Sequence, residues 1–164
     1  MTLTYSVKEH SFLAGLNDLQ IDKLAALSQE VTFCENERIL SAREQSRFFY
    51  LLLEGTVCIE VNSRSYVVCI QALGPGDAFG WSALLDHHDT LFQVRAREQC
   101  RALRIDGSDL TAAFRNDPEL AVEILRRTLS LVAGRVQATE TRLGELCGIR
   151  VPSEAARLRA QSCP

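Results

Sequence analysis

Three glycines, Gly74, Gly76 and Gly80, fall within seven residues of the segment GPGDAFGWSALLDHHDTLFQVRA (74–96). A short polar run with two acids and two histidines follows them. A glycine-rich turn ahead of a short helix suits an anion, because glycine accepts the tight backbone and a helix start offers unsatisfied N–H groups. Yet no lysine or arginine stands in this segment before Arg95, so the turn has the frame of a phosphate cradle without its cation. His87 and His88 suggest a metal or haem ligand, but adjacent residues on a turn rarely chelate one ion and no local third ligand is convincing. They read as a solvated loop tip, and no metal site is expected. The six cysteines (34, 58, 69, 100, 147 and 163) include no C-x-x-C pair. Metal ligands normally come in such pairs, so these read as small buried thiols in a reduced compartment. Serines and histidines never stand at a spacing that suggests a nucleophile and its base; no catalytic residue and no enzyme is expected.

The bulk composition is compatible with a binding or regulatory protein. The chain has 164 residues, 46% hydrophobic and 24% charged, with a net charge of −3. That length allows one domain with a real core and an appendage. The slight acidity argues against non-specific nucleic-acid binding, which calls for a basic surface. The start, MTLTYSVKEHSFLAGL, lacks a basic region followed by a long apolar run, and no stretch is long and apolar enough for a membrane span. A cytoplasmic protein without membrane contact is the expectation.

The elements that must position the glycine segment change in texture along the chain. Residues 1–30 form a helical segment, with Asn17 and Gln20 placed as a capping box and Leu19, Leu24 and Leu27 at near-helical spacing. Residues 31–107 break into about eight short apolar runs separated by turn residues, too closely spaced for βαβ crossovers, which predicts an antiparallel barrel or sandwich. In TVCIEV, Val57, Ile59 and Val61 share one face, and Glu54-Gly55 predicts a tight hairpin. Residues 108–148 predict a short helix capped by Ser108, then a long helix started by Asp117-Pro118. On the long helix Val122, Leu125, Leu129, Val132, Val136, Thr139, Leu143 and Leu146 keep strict 3-4 spacing, a seam suited to a second copy of the same helix. Leu120, Ile124 and Leu131 lie on an adjacent face that can cover the strands. Thr139 is the polar exception in the seam, suited either to fix register or to face a ligand. Residues 149–164 form a tail in which Val151-Pro152 breaks the helix and Ser153 can cap a short new one.

In this order, NERIL, FFYLLLEGTVCIEV, LGPGDAFGWSALL, the strand VRA at 94–96 and RVQATETRLGEL (135–146) resemble the cyclic nucleotide-binding domain of the catabolite activator protein superfamily, from about Phe12 to Leu146. The resemblance implies a mainly β fold with flanking helices: a double-stranded β-helix, or jelly-roll-like β-roll, followed by a long dimerisation helix. It places the phosphate-binding cassette at Phe79, Gly80, Trp81, Ser82, Ala83 and Leu84, with Thr90 and Leu91 at its end. It also places a base-contacting threonine at Thr139, followed by Glu140. The dimer seam is then Leu125, Leu129, Val132, Val136, Leu143 and Leu146.

Function depends on the site and not on the fold, and here the site departs from the family pattern. Trp81 stands where the family has the glutamate that binds the ribose. Thr90 and Leu91 stand where it has the arginine and hydroxyl for the phosphate; a one-residue shift of the gap gives Asp89 instead. Charge-assisted hydrogen bonds are worth about 1.5–3 kcal/mol each, so the two losses together predict roughly two to four decades less affinity for a cyclic nucleotide. Asp86 and Asp89 would add repulsion if turned inward. Arg43, where the family usually has a turn glycine, and Arg47 are candidate substitutes for the missing cation, against the plainer reading of both as solvated surface. Trp81 either stacks on a planar ligand or fills the pocket. Three roles follow: a ligand-sensing homodimer, in which a cyclic nucleotide is implied only by the resemblance; a ligand-independent dimerisation scaffold; or the sensor half of a transcription regulator. Relatives carry a helix-turn-helix after the dimer helix, and VPSEAARLRA stands at the start of that region. DNA binding by this chain alone is not expected.

Overall fold

The computed structural model describes residues 3–62, 65–85, 89 and 92–148. Two helices, α1 (Leu3–Lys8) and α2 (Asp18–Leu27), flank a 3-10 turn at Ser11–Leu13. The capping box at the start of α2 is formed: Asn17 accepts from the Gln20 N–H, and Gln20 accepts from the Asn17 N–H. Six strands follow: β1 (Ser28–Phe33), β2 (Arg38–Leu40), β3 (Phe48–Glu54), β4 (Val57–Asn62), β5 (Val67–Leu73) and β6 (Ala78–Phe79). After a 3-10 helix at Trp81–Leu84 come β7 (Gln93–Ala96), β8 (Cys100–Asp106), α3 (Gly107–Asn116) and α4 (Pro118–Leu146).

The strands form two four-stranded antiparallel sheets, β1-β8-β3-β6 and β2-β7-β4-β5. This is the β-roll. Tyr50, Leu52, Val57, Ile59, Phe79, Val94 and Ala102 fill the space between the sheets. Phe49, Leu51, Leu103 and Ile105 point the other way and pack with Leu24, Leu110, Leu120 and Ile124 of the helices. That two-sided burial is why FFYLLLE reads as one continuous apolar run and not as an alternation.

Three local expectations change. Gly55 does turn the chain with positive φ (83°), but β3 and β4 do not pair: each lies in a different sheet. The turn is a corner between layers and not a hairpin, because turn chemistry fixes the bend but not the partner of the next strand. The cap of α3 is Asp106, whose carboxylate accepts from the Ser108 N–H at 2.9 Å and the Ser108 hydroxyl at 2.6 Å. Two cysteines are not free thiols. Cys58 on β4 and Cys69 on β5 form a disulfide across neighbouring strands, with Cα atoms 6.2 Å apart, a separation a disulfide spans readily. Cys34 and Cys147 are exposed, and Cys100 is the buried thiol. Cys163 lies outside the described residues, as does the tail 149–164 with Ser153.

α4 starts as its sequence implies, with the Asp117 carboxylate accepting from the Leu120 N–H at 3.0 Å and Pro118 in the first turn. Its buried stripe is Leu120, Ile124, Thr128 and Arg135, with Leu131 partly buried between them. No helix among the described residues is long and apolar enough to cross a membrane.

Candidate functional site

The site is built around the turn at Gly80. Its φ of 80° lies in the left-handed region, where glycine carries no Cβ strain, and the turn sits against Phe48, Tyr50 and Ser46. Phe79, just before it, stacks on Tyr50 with ring centroids 4.8 Å apart. The loop between β2 and β3 is stitched onto the following 3-10 helix. Gln45 Nε2 donates to the carbonyls of Ser82, at 3.2 Å, and Leu85, and the Ser46 N–H donates to Ser82 Oγ at 3.1 Å.

Between this turn, the inner face of the second sheet and α4 lies a cavity of about 280 Å³. Leu40, Ile59, Phe79, Trp81, Phe92 and Val94 give it apolar walls; Ser41, Glu44, Ser46 and Ser82 contribute polar atoms. Its one cation among the described lining residues comes from α4: Arg135. This residue is 7% exposed, and its Nε and Nη1 find no hydrogen-bond partner among the described residues. Burial pushes the guanidinium down to about 10, opposed by the negative charge of Asp77. It is therefore charged at neutral pH.

The other arginines of the region do not line the cavity. Arg47 is exposed, pairs with Asp106 at 2.9 Å and lies over the Phe48 ring. Arg43 is exposed with φ 62°, the conformation a turn glycine would take freely. Neither lines the cavity. Arg95 and Arg97 bind the fully buried Glu60, at 2.8 and 2.9 Å, and Gln93 Nε2 donates to the same carboxylate at 2.6 Å. Burial pushes the Glu60 carboxyl up, and the hydrogen bonds from Arg95 and Gln93 outweigh it, holding it below its ordinary value.

This constellation of β-roll, left-handed glycine turn, 3-10 helix and adjoining long helix coincides with a family match: residues 30–117 match the cyclic nucleotide-binding domain. The chain belongs to the cyclic nucleotide-binding domain family. Over 145 residues it is 27% identical to the HTH-type transcriptional regulator Cmr of Mycobacterium tuberculosis, a match covering 88% of this chain and 58% of that protein. The chain therefore spans less than two thirds of that relative. Its fold is that of a cyclic nucleotide-binding domain from Methylobacillus flagellatus (TM-score 0.73, 16% identity, 93% of this chain and 85% of the other). It is also that of the Thermus thermophilus catabolite activator protein (TM-score 0.67, 22% identity, 84% and 63%).

Within this cyclic nucleotide-binding domain the cassette residues divide. Phe79, Gly80, Trp81 and Ser82 line the cavity. Ala83 and Leu84 turn instead towards α3: a Cβ on Gly107 would meet the Ala83 carbonyl, and Leu84 packs on the helical core. Trp81 is half-buried, touching that same core while lining the cavity. Thr90 and Leu91, like Asp86, His87 and His88, lie outside the described residues; Asp89 is exposed. On α4, Thr139 is half-buried and donates its hydroxyl to the Arg135 carbonyl at 2.8 Å, while Glu140 is exposed. Neither lines the cavity. The helix residue that does is Arg135, one turn before Thr139, and sequence reasoning missed it. Its signal was available: it extends the apolar stripe Leu120, Ile124, Leu131 by a further helical turn.

Proposed function

We propose that this chain is a regulatory sensing module in which a small molecule enters the cavity and changes how the long helices of a homodimer pair. The observation that carries this reading is the composition of the cavity wall: Phe79, Gly80, Trp81 and Ser82 come from the roll, and Arg135 comes from α4. A ligand there touches both parts at once, so a difference in its affinity for two helix positions would shift their populations. The exposed apolar seam on the same helix supports the dimer: Leu125, Leu129, Val136, Leu143 and Leu146 are all exposed. The cassette supplies Trp81 where a ribose carboxylate would be needed, and Arg95 is committed to Glu60. On this reading cyclic AMP and cyclic GMP bind weakly or not at all.

The likeness to a helix-turn-helix regulator over most of this chain favours one placement of the module, as the sensor half of a transcription regulator. Calorimetric titration with cyclic AMP and cyclic GMP tests the degenerate site. Heats no larger than dilution are expected at micromolar ligand, and micromolar binding of either nucleotide refutes that part of the proposal.

A further inference from the structure

Arg135 has the cavity's unmet requirement. The residue is more than nine-tenths buried, lines a largely apolar cavity and leaves Nε and Nη1 buried without acceptors among the described residues. Asp77 acts on it only as a distant negative charge, and guanidinium donors withdrawn from water without acceptors are unfavourable. Glu44, which also lines the cavity, is exposed at its rim and forms no bond with those two nitrogens. The position is therefore complementary to an anion brought from outside.

The rest of the wall narrows what carries that anion. One guanidinium balances one negative charge. Ile59, Phe79, Phe92 and Val94 offer side chains that cannot hydrogen-bond, and the hydroxyls of Ser46 and Ser82 already bond within the protein, so a ligand rich in hydroxyls, such as a ribose, would find few replacements for its water. At about 280 Å³ the cavity is at the lower edge of the roughly 300–1,000 Å³ of small-molecule sites, which favours a compact ligand. Building on the sensing role proposed above, we infer that the cavity binds a monocarboxylate with a compact apolar body, its carboxylate on Arg135 and its body against Trp81 and Phe79. Arginine suits this task because its planar donors form strong charge-assisted hydrogen bonds with carboxylates.

The protein carries its own reporter, since Trp81 is the only tryptophan in the chain and lines the cavity. Titrating the intact protein with phenylacetate and octanoate should change Trp81 emission saturably. The neutral phenylacetamide and octanamide should bind at least about tenfold more weakly, and Arg135→Met should lose the preference for the acids. Without any probe, Arg135→Met should keep or raise the thermal midpoint, because an apolar chain replaces an unpaired buried charge; a purely structural arginine would do the opposite. The inference is overturned if acids and amides bind alike, if neither acid saturates the signal, or if Arg135→Met binds the acids unchanged while its midpoint falls. Failure of the acids together with micromolar binding of cyclic AMP would also remove the degenerate-site proposal. Failure of acids and nucleotides alike removes the carboxylate assignment only. Arg135-dependent binding of the acids with no effect on helix pairing, by sedimentation, upholds the assignment and removes the regulatory role.

Discussion

Gly80 faces the carbonyl oxygen of Phe48 so closely that a Cβ would stand 2.4 Å from it. Two penalties therefore meet in Gly80→Ala: a left-handed backbone at φ 80°, worth about 1 kcal/mol or more for a residue with a side chain, and an overlap that only movement of β3 or the turn relieves. A loss of about 2 kcal/mol or more is expected in urea denaturation. Gly74→Ala is the control, since nothing lies within 4 Å of a Cβ there, and it should change stability by less than about 0.5 kcal/mol. Equal midpoints for the two variants would refute this packing of the Gly80 turn against Phe48.

Much of this arrangement is legible in the sequence because it depends on local chemistry. Asn17 with Gln20, and Asp117 with Pro118, announce helix starts that the hydrogen bonds bear out. Short apolar runs between turn residues announce an antiparallel β fold, and eight strands are present among the described residues. What is not legible depends on distant partners. Gly55 looks like a hairpin turn because nothing local states that β4 joins the other sheet. Glu60 alternates as an outward residue of β4, yet is fully buried because Arg95 and Arg97 close over it. Arg135 continues the apolar stripe of α4, which marks its face, but only the packing of α4 against the roll shows that this face ends in the cavity.

Glu60 binds Arg95 on β7, the strand that also carries the cavity residue Val94. Glu60→Gln keeps the shape and removes the charge. Breaking a buried ion pair costs about 3–5 kcal/mol; with Arg95 and Arg97 side chains 28% and 42% exposed, water screens part of this, and a loss of about 2 kcal/mol is expected. Adding Arg95→Met should recover part of it, which a double-mutant cycle in urea measures. Additive losses would show that the two residues are not coupled.

Asp106 joins the roll to the helices, and its acid response has a defined sign. The Ser108 hydroxyl and the Arg47 guanidinium hold its carboxyl at about 2, against an ordinary 3.8. Because the folded value is the lower, its contribution is complete above about pH 4 and disappears as the pH falls through about 2. Asp106→Ala should therefore lose about 1 kcal/mol at neutral pH, as for other helix caps. The gap between parent and variant thermal midpoints should close between those two pH values. A gap that stays constant down to pH 2 would exclude the carboxylate as its source.

The seam on α4 offers the most direct test of the homodimer, because its side chains are open to water in the single chain. Leu129 and Val136 are 69% and 52% exposed and stand one heptad apart. Leu129→Asp with Val136→Asp should therefore leave the fold of each chain intact, with an unchanged circular dichroism spectrum. In a paired-helix dimer the same change removes four apolar side chains from the interface, worth about 6 kcal/mol or more, or roughly four decades in affinity. Sedimentation of the parent should give the dimer mass at micromolar concentration, and the variant the monomer mass. A monomeric parent, or a variant that keeps the dimer mass, would refute the seam. Since Arg135 is the chain neighbour of Val136, a ligand that draws Arg135 towards Trp81 would, in the proposed dimer, shift the helix within its seam. The dimer equilibrium of the parent should therefore respond to any ligand that depends on Arg135.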